Sequence, residues 1–277
     1  MRSVSLPDGT ELPNLGLGTW YIGDSRNRRD EEIRALRTGV DFGMNLIDTA
    51  EMYGDGASEQ LVGEAIDGLR DEVFLVSKVY PHNATIEGVA DACEASLKRL
   101  GTDRLDLYLL HWRGGVPLAE TVEGFERLIA QGKILRWGVS NFDPGDMDEL
   151  SDVPGGGAVA TNQVLYNLST RGIEWDLLPE ARANGLPIMA YSPVDQARLL
   201  QDGDLIELAG DLGVSAAQLA LAWAIDGGGV IAIPKAGWAE HVEENAEAAE
   251  LILSDEIRAE LDALFPPPNG REPLAIL

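Results

Sequence analysis

Residues 45–54 read NLIDTAEMYG. The segment begins like the end of a buried strand, short and apolar. Asp48 ends that run, and Tyr53 follows five residues later on a turn that closes before Ser58. A carboxylate and a phenol at one strand end mean little alone. The same layout recurs down the chain, however, and each recurrence supplies a possible partner for these two groups. Apolar runs fall at 15–19, 45–48, 73–77, 105–110, 134–140, 159–163, 187–191 and 230–233. Their length and near-continuous hydrophobicity suit strands buried on both faces. Segments of helical period lie between and after them, at 30–42, 58–69, 86–100, 118–131, 174–184, 215–226 and 254–264. Ser215 and Ser254 are placed to cap helices at their starts, and Gly132 and Gly185 to end them.

Eight strands alternating with helices over 277 residues predict a (β/α)8 TIM barrel, spanning 1–277 as one domain. A doubly wound open sheet is the competing architecture, but it would show fewer strands and a glycine fingerprint after the first. GGGAVA at 155–160 precedes a strand instead of following one, which makes it a loop. Val4–Leu6 and Thr10–Leu12 flank Pro7-Asp8-Gly9, a turn signal that predicts an N-terminal β-hairpin. A helix at 203–212 and a short C-terminal helix and tail, running on from Pro266, are the expected additions.

Composition narrows the function. There are 47 acidic residues against 21 basic, a net charge of −26. Such a field repels nucleic acid and anionic lipid, so neither is an expected partner. The only lysines are Lys78, Lys98, Lys133 and Lys235. Dense carboxylate with little lysine resembles proteins of halophilic, salt-loving microbes, where abundant ions screen the self-repulsion. No apolar leader opens the chain, and no apolar run reaches the roughly 18 residues of a membrane span, so a cytoplasmic protein is expected. The single cysteine, Cys93, excludes an internal disulfide. The three histidines, His82, His111 and His241, lack zinc-type spacing, so no metal is expected.

The residues that close the apolar runs carry the chemistry. They are Asp48, Lys78, His111, Ser140 with Asn141, Gln163, Tyr191 with Ser192, and Lys235. In a barrel these positions share the C-terminal face, where the active sites of this architecture lie. Asp48, Tyr53, Lys78 and His111 come from neighbouring strands and can converge. A positive charge beside a phenol favours phenolate and lowers its pKa. Asp48 can hold Lys78 charged and in place, and His111 can donate a hydrogen bond to a substrate oxygen. That set protonates a carbonyl oxygen as it gains negative charge. Side chains supply no hydride, so a nicotinamide cofactor is implied. Ser140, Asn141 and Gln163 can hydrogen-bond a carboxamide, Tyr191 offers a flat face, and Ser192 and Lys235 fall in the usual phosphate region.

These strings together resemble the aldo-keto reductases over nearly the whole chain: GLGTW (16–20), NLIDTAEMYG (45–54), LVSKV (75–79), DLYLLHW (106–112), WGVSNF (137–142), NQVLYN (162–167), AYSP (190–193) and IPK (233–235). The resemblance implies a barrel whose hairpin closes the bottom and a reversible NAD(P)H-dependent reduction of aldehydes and ketones. It implies Tyr53 as general acid, Lys78 lowering its pKa, Asp48 pairing with Lys78, and His111 orienting the carbonyl. Ser140, Asn141 and Gln163 would grip the carboxamide, and Tyr191 would stack on the nicotinamide. The short segment after the fourth strand and the short tail are similar to those of compact prokaryotic members. Pocket walls would then come from Trp20, Tyr21, Tyr80 and Trp112, which suits small aldehydes and dicarbonyls. In the family's NADP pattern an arginine follows the IPK lysine by six residues; here His241 stands there, while Glu244 and Asn245 match the adenine-contacting pair. Lys235 favours NADPH, with NADH possible. Two other functions fit the same fold: an NAD(P)-sensing regulatory subunit, and an NAD-dependent sugar or alcohol dehydrogenase. The family leads one to expect a monomer or weak oligomer.

Overall fold

Two short strands, Ser3–Ser5 (β1) and Glu11–Pro13 (β2), pair antiparallel at the start of the computed structural model, which describes residues 1–277. Gly9 takes a φ of +86° in the turn between them, a conformation that favours glycine. The hairpin buries Val4, Leu6 and Leu12 against Leu46, Phe74, Leu107 and Ile231, and so plugs one end of the barrel.

The barrel strands are β3 (Leu17–Gly18), β4 (Leu46–Asp48), β5 (Phe74–Val79), β6 (Leu107–Leu110), β7 (Trp137–Ser140), β8 (Asn162–Leu165), β9 (Ile188–Tyr191) and β10 (Val230–Ala232). They form one parallel sheet in sequential order, from β3 to β10. The seam closes through parallel bridges Leu15 to Ala232 and Gly18 to Lys235. At that seam the Gly18 amide donates to Pro234 O at 3.0 Å, and the Gly16 amide to Ala232 O at 2.9 Å. A Cβ on Gly18 would lie 2.6 Å from Ile233 O, so glycine is what lets the two edge strands meet.

Strand alternation sorts the side chains. Leu46, Phe74, Val76, Leu107, Leu109, Met189 and Ile231 fill the interior as one cluster. Leu75, Val79, Tyr108, Leu110 and Val139 face outward into the larger cluster beneath the helices. Counting on by twos from the inward residues reaches Asp48, Lys78, His111, Tyr191 and Lys235. The polar residues at the strand ends therefore share the inward parity of the core below them.

The outer helices are α1 (Arg29–Asp41), α2 (Ala57–Ala65), α3 (Ile86–Leu100), α4 (Leu118–Ala130), α5 (Pro144–Ser151), α6 (Leu177–Ala183), α7 (Gly203–Asp211), α8 (Ala216–Asp226), α9 (Ala239–Glu247) and α10 (Asp255–Leu264). Ser215 and Ser254 cap α8 and α10 as expected, accepting from the amides of Gln218 and Ile257. Gly132 and Gly185 adopt positive φ just past α4 and α6.

Two helices, α5 and α9, have no counterpart among the periodic segments. α5 buries only Leu150, which leaves almost no apolar stripe; its sequence signal is instead the Asp143–Asp146 capping box with Pro144 at the start. α9 is mostly acidic and polar, and buries Ala239, Val242, Asn245 and Ala246. It is α9, packed against α1, that follows β10; α10 lies beyond it. The run 159–163 is also shifted: β8 begins at Asn162 and continues to Leu165, while Gly156–Ala158 forms a short turn of 3-10 helix before it. No single helix is long and apolar enough to cross a membrane.

Candidate active site

Asp48 and Tyr53 line a cavity of about 1230 Å³, and Lys78 lies behind them, bonded to both. The lysine is fully buried. Its Nζ donates to Asp48 Oδ2 at 2.7 Å, to Thr49 O at 2.9 Å and to Tyr53 Oη at 3.0 Å. Gln163 Nε2 donates to the other Asp48 oxygen at 2.8 Å. A buried ammonium is costly unless paired and hydrogen-bonded, and here it is both. Burial works against the charge on Lys78, but the carboxylate of Asp48 and the oxygen of Tyr53 outweigh it and raise the lysine pKa.

Tyr53 reaches this lysine from the turn after β4. Gly54, Asp55 and Gly56 all take positive φ there, at 56°, 51° and 88°, which bends the chain sharply into α2. Hydroxyls brace the bend from below: Thr19 donates to Asp48 O, and Ser58 bonds both Thr19 and Thr49. Burial sets the net acidity of the phenol, against the expected pull of Lys78. Burial pushes its pKa up and Asp48 adds to that, and the pull of Lys78 in the other direction does not win. Tyr53 is therefore a neutral phenol around pH 7, which is the form that can donate a proton.

His111 lies edge-on to Tyr53, with ring centroids 5.9 Å apart. Burial, reinforced by Lys78, holds its pKa well below the ordinary histidine value. The ring is neutral. Nδ1 is buried without a partner, which leaves Nε2 as the nitrogen for a ligand in the cavity.

Ser140, Asn141, Gln163, Tyr191 and Ser192 all line the same cavity. Asn141, at φ +58°, donates from Nδ2 to His111 O and to Ser140 Oγ, both at 3.2 Å. Its Oδ1 accepts from Tyr191 Oη at 2.9 Å. The Asn141 amide is thus already engaged, and Gln163, whose Nε2 serves Asp48, has Oε1 to offer an amide ligand. Burial pushes the Tyr191 phenol up to about 12, so it too stays neutral. Further out, the cavity passes Lys235, His241, Glu244 and Asn245. All nine residues expected at a cofactor site therefore face one continuous space.

The pocket wall is only partly as expected. Trp20 and Tyr21 line the cavity and stack on each other, with centroids 4.7 Å apart, and Trp112 lines it from the segment after β6. Tyr80 does not line it. That ring stacks on His82 at 4.8 Å and meets Trp112 edge-on, so it backs the wall instead of forming it. Met52 and the chain end, Ile276 and Leu277, take part although nothing in their sequence pattern marked them. The Leu277 amide lies 3.4 Å from Tyr191 Oη. Cys93 is buried with its thiol pushed up to about 12, which makes it inert.

Residues 14–265 match the aldo/keto reductase family. The methylglyoxal reductase YeaE of Escherichia coli is 52% identical over 99% of this chain and 98% of its own length. A glyoxal reductase of Bacillus subtilis is 35% identical, covering 95% of this chain and 92% of the relative. An aldo-keto reductase from Klebsiella pneumoniae, solved in complex with NADPH, superposes with a TM-score of 0.98 at 52% identity, over 100% of this chain and 99% of that one.

Proposed function

The chain belongs to the aldo/keto reductase family, and from that premise we propose that it is an NADPH-dependent reductase of small aldehydes and dicarbonyls. The observation that carries this reading is the buried amine of Lys78, held between Asp48 and the phenol of Tyr53 at the inner end of the cavity. The residues fit a dinucleotide. The space runs unbroken from Tyr53 past Ser140, Gln163 and Tyr191 to Lys235 and Asn245, from an end of neutral hydrogen-bonding groups to one that carries Lys235 beside Glu244. Bound there, the cofactor supplies a hydride. The chain's own groups handle the proton and the charge.

Tyr53 gives its proton to the carbonyl oxygen. The Lys78 ammonium, 3.0 Å away, stabilises the phenolate left behind. Asp48 and Thr49 O fix that ammonium so that it need not reorganise as charge develops. His111, neutral, donates through Nε2 to the same carbonyl oxygen and orients it. Trp20 and Trp112 supply apolar wall to the space a small substrate would fill. The methylglyoxal and glyoxal activities named for the two relatives support this substrate class.

The dense negative charge supports a cytoplasm rich in salt as the setting, since −26 charges repel one another until ions screen them. Thermal melting followed by circular dichroism in rising potassium chloride should then show a steadily higher midpoint. A midpoint indifferent to salt would remove the halophilic part of the reading.

The direct test is NADPH consumption with a panel of small aldehydes and dicarbonyls, in molar potassium chloride. Turnover of methylglyoxal-like compounds is the expected result. Folded protein that binds NADPH yet reduces nothing on the panel would overturn it and leave the sensing role.

A further inference from the structure

His241 leaves the outer end of the cavity without the guanidinium that usually partners Lys235. A guanidinium nevertheless packs against the segment that follows Lys235, supplied from across the barrel seam. Arg28 stands just before α1, and its Nη2 donates to Gly237 O at 3.3 Å, a contact between residues 209 positions apart. The guanidinium lies over the Trp238 ring, 5.0 Å from its centroid. Gly237 makes the room: a Cβ there would fall 2.5 Å from Arg28 Nη2. Arg28 Nε is buried and has no hydrogen-bond partner.

A structural explanation exists but is incomplete. Glu32 is buried, and Arg28 Nε lies 3.8 Å from it. That separation is an ion pair without a hydrogen bond. The Glu32 carboxylate also accepts from the Gly23 amide at 3.0 Å. Glu32 and Asp24 are the two carboxylates that act on Lys235, and Glu32 is shared with Arg28. After partial desolvation, the Arg28 charge is the next cause holding the Lys235 amine below its ordinary value, so the two cations sense each other. The first amides of α9 lie at the same place, and Trp238 at the N-cap gives them no side-chain acceptor. Arg28 and the uncapped start of α9 thus meet at the Gly237–Trp238 segment, just beyond Lys235 in the chain.

We propose that Arg28 is the second phosphate-reading cation of this site, bracketing the ribose 2′-phosphate of NADPH together with Lys235 and the start of α9. The proposal rests on the NADPH reading and adds to it a residue that motif comparison at 235–245 does not reach. Arg28 supplies the planar fork that suits phosphate oxygens, and its stacking on Trp238 holds that fork in place. Lys235 supplies a point charge.

The test is binding, not turnover. NADPH and NADH affinities are read from quenching of tryptophan fluorescence, and those of 2′,5′-ADP and 5′-AMP from calorimetry. Arg28→Ala should weaken NADPH and 2′,5′-ADP by about 10- to 100-fold and their unphosphorylated counterparts by less than about threefold. Gly237→Ala keeps both charges and only displaces the guanidinium; it should move discrimination in the same direction, and it decides the matter if Arg28→Ala fails to fold. Equal losses for both members of each pair would overturn the proposal and reduce Arg28 to a partner for Glu32. Unchanged preference for the 2′-phosphate in folded variants would overturn it as well. A native protein that binds 2′,5′-ADP no better than 5′-AMP would overturn the NADPH reading itself, and the proposal with it.

Discussion

Lys78 lies near the end of β5 and Lys235 just past the end of β10, and the protein treats them in opposite ways. Lys78 is fully buried with three hydrogen-bond partners, two of them oxygens of Asp48 and Tyr53. Lys235 is exposed at the cavity mouth and makes neither a hydrogen bond nor an ion pair. A charge that must steady a developing phenolate is worth most when already fixed in a dry site. A charge that must seize a ligand from water has to stay open. The inner end is thus bound into the fold, while the outer end answers to the cofactor.

Mutations should separate the two ends sharply. Tyr53→Phe should lower kcat for carbonyl reduction by roughly 10²- to 10⁴-fold, the usual worth of a general acid, with NADPH affinity barely changed. Retained turnover would break the acid assignment. Lys78→Met should damage both function and fold. It strands the Asp48 carboxylate in the interior, and breaking such a pair costs about 3–5 kcal/mol, readable by denaturant unfolding. An unaltered unfolding midpoint would show that the inner end is not bound into the fold at all. Lys235→Ala should do the reverse: stability within about 0.5 kcal/mol of the native chain, as for a surface change, but NADPH weakened by roughly tenfold more than NADH. Equal losses would show that this lysine does not read the extra phosphate.

The smallest effect concerns His111. Its pKa is depressed in the folded protein, so the unfolded chain binds the extra proton more readily. The stability this contributes is present above the unfolded value near 6.5 and is lost as pH falls below it, by up to about 1.4 kcal/mol per pH unit. Unfolding free energies at pH 7.5 and pH 5.5 should therefore fall further apart in the native chain than in His111→Gln. The opposite ordering would mean that the imidazole is charged in the fold.

Much of this was legible because period and parity are local properties. Asp48, Lys78, His111 and Tyr191 were identifiable as strand ends, and a strand places every second residue on one face. Their convergence follows once the sheet closes. α5 and α9 were not legible, since short acidic helices with few buried side chains carry little periodic signal. Tyr80 was misplaced for a related reason. It lies past the end of β5, where alternation no longer dictates direction, and packing on His82 and Trp112 turns it away.

Period, parity and motif spacing were enough to establish the barrel, the inward row of polar residues and the resemblance to a reductase family. Tertiary structure alone decided which distant groups meet. It set the Leu277 amide beside Tyr191, let burial outweigh Lys78 in the acidity of Tyr53, and brought Arg28 to Gly237. The physical reason is closure: β3 and β10 are neighbours only because the barrel meets itself at Gly18 and Lys235, and contacts across that seam leave no mark on any local stretch of chain.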